Sequence, residues 1–233
     1  MTKRKRAIRR KQERIKNKKL VKKYPWLAPK NVWTGQIPSD YDYSYINWGC
    51  SEGWDKAFGK MYMEELGDAI ERAGMRNTFQ ILQIKEKFGQ LRLYCGGATD
   101  EIHSIIDKYE LLSERICYYC GKPEVPMIDT GWILPQCFDC YAKFYFRRVN
   151  WNNKTYPDKP ITPLSMGEIR ENYEKHIADC PDEDGNYSLP RSRKVTRYSE
   201  GNKEIIEYDI SETADLIVKN WEAKYGKKIQ YPA

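Results

Sequence analysis

Histidine is almost missing from this chain: His103 and His176 are the only two among 233 residues, and neither lies in an HExxH pattern. Histidine-centred acid–base chemistry and helix-borne zinc hydrolysis therefore have little to work with. His103, beside Ile102 in an amphipathic stretch, reads as a surface or satisfied core side chain. No glycine-rich loop ends in Lys-Ser or Lys-Thr, so nucleotide hydrolysis has no phosphate cradle. Long apolar runs are also lacking. At a mean hydropathy of -0.81 no stretch of ~18 apolar residues exists to span a membrane, and the basic N-terminus leads into no signal-peptide core. The chain is expected in the cytoplasm, with no membrane partner. What it has in quantity is aromatic: 18 Tyr, 7 Trp and 6 Phe, enough large apolar groups to build a core despite a hydrophobic fraction of only 40%.

Acidic residues are scarce in one place. Residues 1–23 hold Glu13 alone against thirteen basic side chains: Lys3, Arg4, Lys5, Arg6, Arg9, Arg10, Lys11, Arg14, Lys16, Lys18, Lys19, Lys22 and Lys23. The remaining 210 residues keep 27 of the 40 basic groups and 32 of the 33 acidic ones. The formal charge of +7 thus hides a mildly acidic globule carrying a strongly basic arm. Such a run binds polyanions by releasing their counterions, and DNA or RNA is the expected partner. The same run also serves as a solubilising tail. Ile8, Ile15, Leu20 and Val21 give it only a narrow apolar stripe, so disorder in isolation and helix on binding are expected.

Beyond the arm, Tyr24 to Pro29 reads as an extended segment laid on the globule, and residues 30–50 as an ordered aromatic loop in which Asp40 and Asp42 are turn acids. Ser51 to Ala73 carries Trp54, Phe58, Tyr62, Leu66 and Ile70 at helical spacing and stops at Gly74, which predicts one amphipathic helix. Phe79 to Cys95 reads as a hairpin turning at Lys87-Phe88-Gly89-Gln90, and Thr99 caps a helix through Leu112. A helix from Cys140 to about Arg148, a Ser165/Glu168 capping box, a hairpin around Gly201-Asn202 and a last helix from Ser211 complete the chain. The fold class is α+β, with small antiparallel hairpins, amphipathic helices and a treble-clef-like zinc module. The expected divisions are a basic arm at 1–23, an α+β core at 24–148 with the zinc module at about 117–148, and a C-terminal α+β segment at 149–233.

The zinc expectation comes from Cys117, Cys120, Cys137 and Cys140, with two residues inside each pair and sixteen between the pairs. A two-residue spacing lets both thiolates of one knuckle reach one ion, and two knuckles complete the tetrahedron of structural Zn2+. Gly121 allows the tight turn after the first pair, Val125 to Pro135 can form a hairpin, and the second pair opens a helix. Four cysteines leave no position for water, so the zinc is expected to organise structure rather than react. Cys50, Cys95 and Cys180 read as buried small hydrophobes, and His176 with Cys180 lacks third and fourth ligands.

A second basic and aromatic run follows the cysteines: Phe144, Tyr145, Phe146, Arg147, Arg148, Trp151, Lys154 and Tyr156. Rings that stack and guanidinium groups that meet phosphates suit single-stranded nucleic acid, although the rings serve equally as core. Gln83 and Lys85 match part of a metal-dependent nuclease pattern, without a preceding strand to supply its Asp.

Several blocks together, Tyr24-Pro25-Trp26-Leu27, Trp33-Thr34-Gly35, Asp40 to Tyr45, Gly53-Trp54, Gln83 to Tyr94 (QIKEKFGQLRLY), CYYCGKP and TGWILPQCFDC, resemble a group of uncharacterised phage and prophage proteins over about residues 24–140. The resemblance implies a phage gene product in a bacterial cytoplasm that modulates host machinery. The expected function is a non-enzymatic, zinc-stabilised nucleic-acid-binding accessory protein, with Lys3, Arg4, Lys5, Arg6, Arg9, Arg10, Lys11 and Arg14 of the arm and Arg147, Arg148, Trp151 and Lys154 as contacts. The alternatives are an anti-defence inhibitor that binds a host nucleoprotein, and a metal-dependent nuclease.

Overall fold

The computed structural model describes residues 3–28, 51–199 and 202–229. The loop expected at 30–50, with Asp40, Asp42 and Cys50, lies outside them. Contacts divide the chain into two compact units, Met1–Ser51 with Phe58–Glu110, and Glu52–Ala57 with Leu111–Ala233. The architecture is mixed helix and small antiparallel hairpins. Its elements are α1 (Lys3–Lys23), α2 (Glu52–Trp54), α3 (Lys60–Arg72), β1 (Gln80–Lys87), β2 (Gln90–Gly96), α4 (Asp100–Ser113), β3 (Met127–Asp129), β4 (Ile133–Pro135), α5 (Phe138–Thr155), α6 (Met166–Lys175), β5 (Ser192–Ser199), β6 (Asn202–Asp209) and α7 (Ser211–Tyr225).

In the first unit the basic arm is the 21-residue helix α1 rather than a disordered tail. The reason lies at its C-terminal end. Asn17 is fully buried, Leu20 and Val21 are half-buried, and a 3-10 turn at Pro25–Leu27 sinks Trp26 and Leu27 into the core, so the expected extended segment is a tight anchor. Trp26 meets Phe79 edge-on with ring centroids 5.9 Å apart. The hairpin β1–β2 pairs Gln80 with Gly96 through to Lys87 with Gln90, and a bulge between Ile81 and Gln83 shifts the register. Ile81, Ile84, Leu91 and Leu93 pack inward with Ile102, Ile106 and Tyr109 of α4. Thr99 caps α4 through its Oγ1, which accepts from Ile102 N at 3.3 Å. Tyr109 stacks on Tyr62 at 4.5 Å and donates to Glu65 at 2.8 Å, while burial pushes its hydroxyl pKa above the usual range.

The helix expected from Ser51 is interrupted by a π-helical turn at Asp55–Gly59. Trp54, Phe58, Tyr62, Leu66 and Ile70 are each four apart, so in a 3.6-residue helix they drift by roughly 40° per step. A wider turn takes up part of that drift and keeps the buried residues in phase.

In the second unit, β3 and β4 pair Met127 with Pro135 and Asp129 with Ile133. Asp129 N donates to His176 O at 2.8 Å and Ala178 N to Met127 O at 2.9 Å, tying the segment after α6 to this hairpin. Ser165 and Glu168 form the full capping box of α6. The helix placed to about Arg148 runs to Thr155, so the division expected after residue 148 falls inside α5, and the cysteine module groups with the C-terminal residues. β5 and β6 form a separate two-stranded ribbon, and α7 ends on Gly226 in the left-handed region.

Candidate metal centre

The first cysteine pair sits in a turn closed by its own backbone. Gly121 N donates to Cys117 O at 2.9 Å and Cys117 N to Lys122 O at 2.8 Å, with Gly121 at a φ of 80°, which favours glycine. The residues before α3 hold this turn from outside. Trp54 Nε1 donates to Ile116 O at 2.9 Å and Gly53 N to Tyr118 O at 3.2 Å. Gly53 lies so close that a Cβ there would strike the Cys117 carbonyl oxygen and stand 2.5 Å from that of Tyr118. The second pair is placed by β4 and α5: Cys137 occupies the N-cap position of α5 and Cys140 its first turn.

The four sulfurs lie within 4.8 Å of one another, with Cys120 Sγ 3.6 Å from Cys137 Sγ. No disulfide joins them. A tetrahedral ion with metal–sulfur bonds of about 2.3 Å would set its ligands about 3.8 Å apart, so the spacing fits one metal ion. Hydrogen bonds from Cys120, Cys137 and Cys140 pull the Cys117 thiol down. Further thiolates this close would repel its charge, a conflict that a divalent cation relieves. Lys56, held 2.7 Å from Glu52, places a cation beside Cys120.

No protein-family model, curated protein or solved structure matches the chain.

The same helix that begins at the cysteines displays the expected basic–aromatic run on its surface. Phe144, Arg147, Arg148, Trp151 and Lys154, spaced three and four apart, share one face of α5, and all are exposed, Trp151 at 61%. Ala142 and Val149 face inward, and the run's cations and three of its five rings, Phe144, Trp151 and Tyr156, face solvent. Arg147 lies over the Phe144 ring at 5.8 Å, and Phe144 in turn packs on Tyr119 of the knuckle at 4.3 Å. In the first unit, Arg4, Lys5, Arg6, Arg9, Arg10, Lys11 and Arg14 are exposed along α1, which Lys3 opens. Among the described residues no helix is long and apolar enough to cross a membrane.

Other candidates fall apart. Cys180 is exposed and Cys95 only half-buried, against the expectation of buried hydrophobes. His176 ends α6, its Nδ1 against Asn172 O. Gln83 and Lys85 lie on β1, the first strand among the described residues, so the nuclease pattern has no preceding strand there. The chain also spells Gly49-Cys50-Ser51-Glu52-Gly53, a GxSxG string. Its last glycine, Gly53, serves the close approach to the knuckle. Gly53, Trp54 and Tyr119 are the site residues that sequence reasoning missed.

Proposed function

We propose that this chain is a phage-encoded nucleic-acid-binding accessory protein, acting by binding rather than catalysis and stabilised by one Zn2+ on Cys117, Cys120, Cys137 and Cys140. Four sulfur donors at tetrahedral spacing suit zinc, and a closed donor set gives it a structural role. Knuckle, β3–β4 hairpin and the helix opening at Cys137 follow the order of a treble clef. The observation that carries the reading is the face of α5: three cations and two exposed rings on one stripe, anchored at the end where the metal would sit. Cations neutralise phosphates and exposed rings stack unpaired bases. The α1 helix supplies the sequence-independent share of affinity by counterion release.

A salt titration of binding to generic single-stranded and duplex probes tests this. Six to eight phosphate contacts predict a log–log slope of about -5 to -7 on duplex DNA. Replacing Arg4, Arg6, Arg10 and Lys11 by Gln is expected to flatten the slope by about 3 to 4, and Arg147→Ala with Arg148→Ala by about 2. Unchanged slopes in both variants would remove these surfaces from the function. A complex with a host protein that survives nuclease treatment would favour the inhibitor reading instead.

A further inference from the structure

The turn joining β1 to β2 is built against local preference. Its two central residues, Phe88 and Gly89, have φ values of 53° and 80°, the geometry of a type I′ turn. Glycine suits this conformation, and Asn or Asp is the usual first residue. A phenylalanine there is strained, and its ring recovers little by packing, since Phe88 is 75% exposed. Strain without burial points to use.

Behind that ring lies a groove of about 450 Å3 between β2 and one face of α4. Its volume is in the range of small-molecule sites. Its rim carries a second ring, Tyr94, 40% exposed with Lys85 over it at 5.1 Å. Lys87 Nζ stands 5.5 Å from the Phe88 ring. Arg92 is fixed at the groove by Glu110, whose Oε2 accepts from Arg92 Nη1 at 2.8 Å while Oε1 accepts from Leu93 N at 2.7 Å. Asp107, one turn before Glu110 on α4, lines the same wall.

From this placement we propose that the groove under Phe88 is a pocket for one unpaired nucleobase, guanine before uracil, with Lys87 and Arg92 meeting its phosphates. The proposal deepens the nucleic-acid reading above and rests on it. A flat ring on an exposed turn has room to cover a base that is not already stacked in a duplex, and every base offers such a face. The carboxylate wall then selects. Carboxylates accept hydrogen bonds, so they favour an edge rich in N–H donors. Guanine presents N1–H and N2–H2 side by side, whereas uracil flanks its single N–H with carbonyl oxygens that a carboxylate repels. Cations at the rim and acids inside also order the ligand, phosphate outward and base inward.

The test uses the full chain and two labelled 12-nucleotide RNAs, oligouridine and the same strand with one central guanosine, read by fluorescence anisotropy. The unmodified protein is expected to bind the guanosine strand about tenfold more tightly. Phe88→Asn is expected to abolish that preference while raising the melting temperature, because Asn accepts the turn geometry. Asp107→Asn is expected to bring the two strands together in affinity while overall binding and its salt slope persist. Phe88→Asn that retains the full preference, or an unmodified chain that binds both strands equally, overturns the pocket and leaves the α1 and α5 surfaces untouched. Absence of binding to either strand overturns both readings. A pocket that takes up an acidic or aromatic peptide, with no difference between the RNAs, overturns it in favour of a protein partner.

Discussion

At the scale of single residues, the knuckle depends on two glycines that face each other. A Cβ on Gly121 would stand 2.6 Å from Gly53 O, and one on Gly53 would press on two knuckle carbonyls. Those neighbours are backbone, so neither can swing aside. Gly53→Ala is expected to destabilise the second unit by about 3 kcal/mol, the upper end for overpacking, and to weaken metal affinity at least tenfold. Gly167→Ala is the control, since its nearest outside atom would be Ser165 Oγ at 3.9 Å, and no loss is expected there. Urea unfolding with and without a competing chelator separates the two effects. Gly121 was legible from sequence because it follows Cys120 directly. Gly53 was not, because its partners lie more than 60 positions away and no local pattern announces a long-range backbone contact.

At the scale of elements, what could be read locally was read well. The β1–β2 turn, the cap at Thr99 and the Ser165–Glu168 box each rest on residues within a few positions of one another. The errors fall where distant groups decide. α1 is held by Trp26 and Leu27 in a core that composition alone does not locate. The last two turns of α5 contain Asn150, Asn152 and Asn153, poor helix formers whose local preference is to stop at Arg148. They continue because Val149 is buried and because Asn153 clasps the chain that follows, donating to Ile161 O at 2.9 Å and accepting from Ile161 N at 2.7 Å. Tyr145 OH adds an acceptor for Leu164 N at 2.9 Å. Asn153→Ala removes both clasping bonds and is expected to cost about 1–2 kcal/mol locally. Hydrogen exchange should rise at residues 151–155, which carry Trp151 and Lys154, and stay unchanged near Cys140. Uniform exchange along α5 would mean that the clasp does not hold the end.

At the scale of the whole molecule, the division of charge and the division of core point to different duties. The basic groups of α1 stand apart from an otherwise acidic chain, so electrostatic attraction is local to a few elements rather than a property of the surface at large. The second unit has only a hairpin of three-residue strands and a separate ribbon, and the buried cluster at its knuckle is largely the cysteines themselves with Val125. So small a core does not hold four thiols together by burial alone. The proposed zinc would then supply folding free energy directly, on the order of 10 kcal/mol for structural sites. Protein purified without chelator is expected to carry one zinc per chain by elemental analysis. Chelation is expected to reduce helical circular dichroism and open residues 117–155 to proteolysis, and Cys137→Ala to do the same without chelator. Because the thiols must lose their protons to bind, the metal should leave more readily as pH falls. Cobalt substitution gives an independent reading, since tetrahedral thiolate coordination has its own absorption. A chain that contains no metal and keeps its spectrum and protease resistance in chelator would show that packing, not zinc, brings the four sulfurs together.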